Sequence, residues 1–278
     1  MGGMDTPHAD QAVVSFVGPW DGQVVATSVH AGHDVRADLA EQMVLDEDTR
    51  LREEDPHTDR IAEAVESRMV TPRSRFEVDL NRPRREAVYR EPDDCWGLDV
   101  WRGGRLEQEL FEGSLAVYDE VYGALQQRLD EVAARGPFVL LDIHSYNHRR
   151  DGADAEPAPA EENPEVNLGT GTVDLDTFGP LVETFRDTLA AQVVQRHGAD
   201  GGHTLDVREN VAFEGRGLAY FVHDRYPGLG CVLALEFKKT WMDEWTAEVD
   251  EQHLTELRDA LGATVPGLLE SLARIERG

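Results

Sequence analysis

Apolar and polar positions divide this chain into short strands and helices separated by turn clusters. Residues 12–17 and 24–29 are β-like apolar runs, parted by Gly18-Pro19-Trp20-Asp21-Gly22. Residues 37–44 have the pattern of a short helix, and 59–70 place apolar side chains at 61, 62, 64, 65 and 69, one helical face. Phe76, Val78 and Leu80 alternate with Glu77 and Asp79, as in a half-buried strand. Residues 115–134 form the clearest amphipathic helix, ended by Arg135-Gly136-Pro137. The run FVLLDI at 138–143 follows at once and is continuously apolar, as fully buried strands are. CVLALEF at 231–237 is a second such run, and helices are expected at 176–196 and 251–274.

Strands alternating with helices around one core, with no internal repeat, predict a single-domain α/β fold whose central mixed sheet is flanked by helices. Residues 1–11 are polar and Gly-containing, which predicts a disordered tail and leaves 12–278 as the domain. Residues 149–164 hold Pro, Ala, Gly and acids with almost no apolar bulk, the composition of a mobile surface loop. The loop follows a strand end, where open α/β sheets place their sites. A lid and a plain insertion both fit that position.

Composition changes the picture mainly by exclusion. The chain has 278 residues, with 55 Asp+Glu against 27 Lys+Arg and a formal charge of -28. At roughly 150 residues per domain this is one or two domains, long enough to bury a core without disulfides or a structural metal. The acidity argues against nucleic acid and anionic membranes as partners, since Lys/Arg contacts to phosphate hold both. No apolar run approaches the ~20 residues of a membrane span, and residues 1–11 lack a signal-peptide core, so a cytoplasmic protein is expected. Lys238 and Lys239 are the only lysines, so nearly all the positive charge is arginine. Cys95 and Cys231 lie far apart, in no CxxC pattern, and are expected as free thiols. The oligomeric state is not legible here.

Candidate chemistry sits where polar residues end buried runs, because burial makes polarity costly. His30 ends the second run, His144 ends the FVLLDI run, and Glu236 lies inside CVLALEF. They converge if those strands are neighbours. Zinc suits such a set, since it accepts imidazole and carboxylate and a catalytic site keeps three protein ligands with one open position. His30 and His144 would supply two ligands, and the acidic segment 53–59 offers several candidates for the third, with His33 as a rival. The same segment, with Asp55 before Pro56, also reads as an ordinary helix start. In 74–83 the alternating pattern puts Arg75, Glu77, Asp79 and Asn81 on one strand face, with Arg82 at its end. Arginines aimed at a site would grip an anionic substrate in a bidentate fork, and a surface salt-bridge network is the other reading. His33, His57, His148, His197, His203 and His223 are each expected at the surface or behind the ligands.

The ordered segments VHAGHDVR (29–36), EEDPHTDRI (53–61), SRFEVDLNRP (74–83), LLDIHSYN (140–147), NLGT (167–170) and 213–244 resemble the N-formylglutamate amidohydrolase family. That family is similar in fold to the zinc carboxypeptidases and to aspartoacylase. The likeness spans about residues 24–245 and implies a zinc carboxypeptidase-like (phosphorylase/hydrolase-like) fold with one Zn2+ at the strand ends. It implies metal ligands His30, Asp55 and His144, with Glu54 as the rival acid. It further implies Glu236 as general base, Arg75 facing the scissile carbonyl, and Asn81 with Arg82 on a substrate carboxylate. Ser145 and Tyr146 are expected beside the substrate. The implied activity is zinc-dependent hydrolysis of a small anionic amide, an N-acyl acidic amino acid such as N-formylglutamate. A related amidase or carboxypeptidase acting on another acylated or γ-linked acidic compound, and a non-catalytic metal- or ligand-binding homologue, are the alternatives. The chain departs from the family at Val29, where members often have Pro, and at 215–223, where they have Gly-Gly-Tyr-Ile-Thr-Arg. The loop after His148 departs as well.

Overall fold

The structure is a computed structural model and describes residues 12–195 and 201–277. The predicted tail, 1–11, and His197 lie outside the described residues. The chain opens with β1 (Ser15–Val17), β2 (Val24–Ser28), α1 (Ala37–Ala40), α2 (Glu47–Glu53), α3 (Thr58–Ile61) and β3 (Arg68–Val70). A long stretch of turns leads to α4 (Gln108–Ala133), β4 (Phe138–Tyr146), β5 (Val166–Gly169) and α5 (Leu175–Ala190). Then come β6 (Val193–Val194), β7 (His203–Thr204), β8 (Val207–Glu209), α6 (Leu218–Arg225) and β9 (Gly230–Lys238), and last α7 (Glu251–Gly262) and α8 (Val265–Ile275).

Seven strands make one sheet in the order β1-β3-β2-β4-β9-β5-β8. β4 and β9 pair in parallel along their whole lengths, Phe138 opposite Gly230 and His144 opposite Glu236. Helical layers cover both faces, which is why these two strands are almost continuously apolar. β2 runs parallel to β4 on one side, and β5 runs antiparallel to β9 on the other, so the sheet is mixed. Side chains alternate between the layers. Val139, Leu141, Ile143, Cys231, Leu233 and Leu235 pack with Phe178 of α5, Leu257 of α7 and Leu268 of α8. Phe138, Leu140 and Val232 face Val121 and Leu125 of α4 and Val222 of α6. Asp142, His144, Ala234 and Glu236 continue that second face, where the apolar cover gives way to a cavity. No helix among the described residues is long and apolar enough to cross a membrane.

Several predicted elements come out differently. The helical face at 59–70 becomes one turn of α3, a 3-10 turn and β3, because sheet pairing claims Arg68–Val70 between β1 and β2. Short apolar runs fit both periods, and only the partner strand decides between them. The strand expected around Phe76–Leu80 does not form. Glu77 and Val78 both donate their amides to the Ser74 carbonyl (3.0 and 3.2 Å), and Arg82 donates to Asp79 (3.2 Å), so the segment is coiled into turns. α4 begins at Gln108, ahead of the amphipathic core of its pattern. The last expected helix splits into α7 and α8, and Pro266, without an amide N–H, sits in the first turn of α8. β5, β8, α2 and α6 are too short or too polar to stand out in the pattern. The loop at 149–164 has no helix or strand, and it is tied by Ala158 to the His148 carbonyl (2.7 Å) and by Arg208 to that of Glu161 (2.7 Å).

Candidate metal centre

Because β2 and β4 are parallel neighbours, His30, just past the end of β2, meets His144 at one edge of the sheet. Asp55 joins them from the turn between α2 and α3, where its amide donates to the His30 carbonyl (2.9 Å). Asp55 Oδ2 lies 3.4 Å from His30 Nδ1 and 3.2 Å from His144 Nδ1. All three residues are buried, and their ligand atoms fall within 4.8 Å of one another. A tetrahedral zinc with bonds of ~2.0–2.1 Å has ligand–ligand edges of about 3.3 Å. The donor types suit that ion, and the two separations from Asp55 to the histidines match its edges.

The opposite ring nitrogens face carboxylates. His30 Nε2 is 2.8 Å from Asp79 Oδ1, and His144 Nε2 is 3.1 Å from Asp142 Oδ2. Metal-binding imidazoles are oriented in this way, with the second nitrogen on a carboxylate that fixes the tautomer. The Asp142 contact is poorly aligned for a hydrogen bond, and neither of its two atoms has another partner. Asp142 is itself placed by the Thr27 hydroxyl, which donates to Oδ1 (2.7 Å). Asp79 accepts from Arg75 Nη2 (2.8 Å), the Asn81 amide (3.0 Å) and the Tyr89 hydroxyl.

Charge is concentrated here. Burial works to raise Asp55, but hydrogen bonds from His144 and His30 outweigh it and hold the carboxyl well below the usual range. Burial likewise opposes charge on His144, and Asp142, Asp55 and Glu236 overcome it, raising its proton affinity. The carboxylates that favour a proton there equally favour a divalent cation. Glu236 keeps some exposure to the cavity and is otherwise enclosed, and burial pushes its carboxyl up to about 8, with His144 offsetting part of the rise.

The cavity holds about 800 Å³. Arg75 enters it from the turn at 74–78, its Nη1 on the Glu53 carbonyl (3.2 Å) and its Nε toward the Tyr89 hydroxyl (3.4 Å). Its guanidinium lies over the exposed Trp96 ring, 4.9 Å from the centroid. Arg82 donates to the Asp94 carbonyl (2.8 Å) and stacks on Tyr89 at 4.7 Å. Asn81 accepts the Leu218 amide through Oδ1 (3.3 Å), and the intervening Gly217 has φ +48°, where a Cβ would lie 2.0 Å from the Asn81 carbonyl. Lys239 donates to the carbonyls of Arg52 and Glu54 (both 2.6 Å), just ahead of Asp55, and burial brings its ammonium down to about 8.

Of the rival third ligands, Glu54 and His33 pair with each other (2.5 Å) away from the centre, and Ser74 donates to Glu54. Glu77, expected beside Arg75 on a strand face, instead accepts from the Arg36 amide (3.0 Å), because the turns send it to the other side. Ser145 and Tyr146 line the cavity, but their hydroxyls are committed to protein: Ser145 donates to Asp55 Oδ1 (3.0 Å) and Tyr146 to the Pro164 carbonyl. His148, His203 and His223 bond to Glu244, Glu165 and Thr172, outside the centre. Asp142, Asp79, Lys239 and Trp96 went unassigned in the sequence. Asp142 carried a usable signal, two residues before His144 on one strand face. So did Lys239, one of two lysines in the chain and placed directly after a buried strand. Asp79 did as well, standing with Arg75 and Asn81 in the 74–83 pattern, and Trp96 carried none.

The sequence profile of the N-formylglutamate amidohydrolase family matches residues 22–241. Two solved structures share the fold. The N-formylglutamate amidohydrolase from Ralstonia eutropha JMP134 is 18% identical with a TM-score of 0.71, covering 95% of this chain and 99% of that one. A gene product from Agrobacterium tumefaciens is 16% identical with a TM-score of 0.64, covering 96% and 97%. At these identities the likeness is one of fold. No individually curated protein matches the sequence.

Proposed function

The chain belongs to the N-formylglutamate amidohydrolase family, and on that premise we propose that it hydrolyses the amide of a small N-acyl acidic amino acid, with zinc held by His30, Asp55 and His144. The observation that carries this reading is the meeting of two imidazole Nδ1 atoms and the Asp55 carboxylate beside Glu236 in one cavity. Bound there, zinc would polarise the amide carbonyl and acidify a water molecule. Glu236 takes the water proton and returns it to the departing amine. Arg75 lines the cavity with three of its five N–H groups engaged by protein, which leaves two for a ligand. It is a fixed cation for the carbonyl oxygen as negative charge develops. Arg82, steadied by its stacking on Tyr89, binds the substrate carboxylate together with Asn81.

Glu236→Gln tests the reading. Turnover of N-formylglutamate should fall by ~10²–10⁴-fold, while zinc content after dialysis, measured by metal analysis, stays at the wild-type level. Near-wild-type turnover with the metal retained would sink the assignment.

A further inference from the structure

One wall of the cavity has a chemistry that none of these roles uses. The volume, about 800 Å³, lies toward the upper end of the ~300–1,000 Å³ that accommodates drug-sized ligands, and N-formylglutamate is far smaller than such a ligand. The unused wall is the segment 210–217. Its beginning is held by the buried Asn167, whose Oδ1 accepts the amides of Val211 and Ala212 (both 2.9 Å) and of Phe213 (3.3 Å). The Asn167 Nδ2 donates in turn to the Phe213 carbonyl (2.7 Å). Asn167 pairs opposite Glu236 on adjacent strands, so the wall starts beside the candidate proton carrier. Its other end, Gly217, is packed on Asn81.

Three consecutive side chains of this anchored segment, Val211, Ala212 and Phe213, are apolar where they meet the cavity, and they are flanked there by Asn210, Glu214 and Arg216. Val211 and Phe213 line it and still leave 39% and 36% of their surface exposed. Ala212 and Ala234 lie with them, and the Phe213 ring sits 5.5 Å from that of Tyr146. Apolar surface that is held open by a backbone anchor leaves water only when an apolar ligand covers it. A formyl group brings no hydrocarbon to do so. With the amino-acid carboxylate at Asn81 and Arg82, at the far end of the segment, the acyl group is directed toward Val211 and Phe213.

We propose that the substrate is an N-acyl amino acid whose acyl group is a hydrocarbon chain of several carbons, bound along Val211, Ala212 and Phe213. This rests on the amide-hydrolysis reading above and narrows its substrate class. The water oxygen bonds to the acyl carbon, the C–N bond breaks, and the water proton leaves on the amine, giving a fatty carboxylate and a free amino acid.

The test is a series of formyl-, acetyl-, butanoyl- and hexanoyl-glutamate, with kcat/KM measured on the purified enzyme. Each methylene that leaves water should raise kcat/KM about two- to fourfold, so hexanoyl should exceed formyl by at least ~10-fold. Val211→Asp and, as a second and smaller change, Phe213→Ser should flatten the hexanoyl-to-formyl ratio. Hexanoate should also inhibit competitively at lower concentration than acetate, a readout independent of turnover. A flat series, or one highest at formyl, overturns the acyl-chain proposal and leaves the amidohydrolase reading standing. Loss of turnover across the whole series, with metal bound, overturns both.

Discussion

At the scale of single residues, the centre depends on side-chain parity along strands. Asp142 and His144 share a face with Glu236 on the neighbouring strand because β4 and β9 pair in register, and alternation then decides which groups meet. His30 escapes that rule. It stands two positions past the end of β2 and is turned inward by the bond between its carbonyl and the Asp55 amide. Glu236 gives this scale its prediction. Burial raises its carboxyl from 4.5 to about 8, so the folded state binds more protons than the unfolded state between those values. Its contribution to stability is complete below pH 4.5 and is lost as pH rises through 8. Glu236→Gln should therefore raise the Tm of metal-free protein clearly at pH 8 and little at pH 5, followed by thermal unfolding in chelator. Equal shifts at the two pH values would contradict the account.

At the scale of elements, close backbone contacts hold the ligand-bearing loops. Gly32 follows His30 by two residues, and a Cβ there would lie 2.1 Å from the Pro72 carbonyl carbon and 2.3 Å from its oxygen. Two backbone segments touch at that point, the loop after β2 and the turn leading to Arg75. Gly32→Ala must force them apart, and a loss of roughly 1–3 kcal/mol is expected in urea unfolding, together with weaker metal retention at the His30-Asp55-His144 group. Unchanged stability and metal content would show that the loops do not depend on this contact. The buried strands and the long helix were legible because length and apolar density leave one interpretation. The segment 74–83 was not, because its alternation fits a strand as well as turns. Only the amides of Glu77 and Val78, both satisfied by the Ser74 carbonyl, settle it as turns.

At the scale of the whole molecule, the charge of -28 describes the solvated shell, and the cavity is closer to balance, with Arg75, Arg82, Arg150, Arg216 and Lys239 on its walls beside six carboxylates. Self-repulsion of so acidic a shell opposes compactness and is screened by salt. As the Debye length falls from ~30 Å at 0.01 M to ~3 Å at 1 M, the Tm should rise by several degrees, read by thermal unfolding across a sodium chloride series. A Tm that falls with salt would mean that the attractive pairs outweigh the repulsion. The sequence by itself determined the α/β class, the two central strands and the polar residues placed at costly positions. These follow from composition and from periodicities that act over a few residues. Only the tertiary structure decided that Asp55 rather than Glu54 or His33 meets the histidines, that Glu77 turns away while Arg75 turns in, and that Val211 to Phe213 wall the cavity. Each of those outcomes depends on contacts between segments far apart in the chain, and local pattern carries no record of which distant backbone will supply the partner.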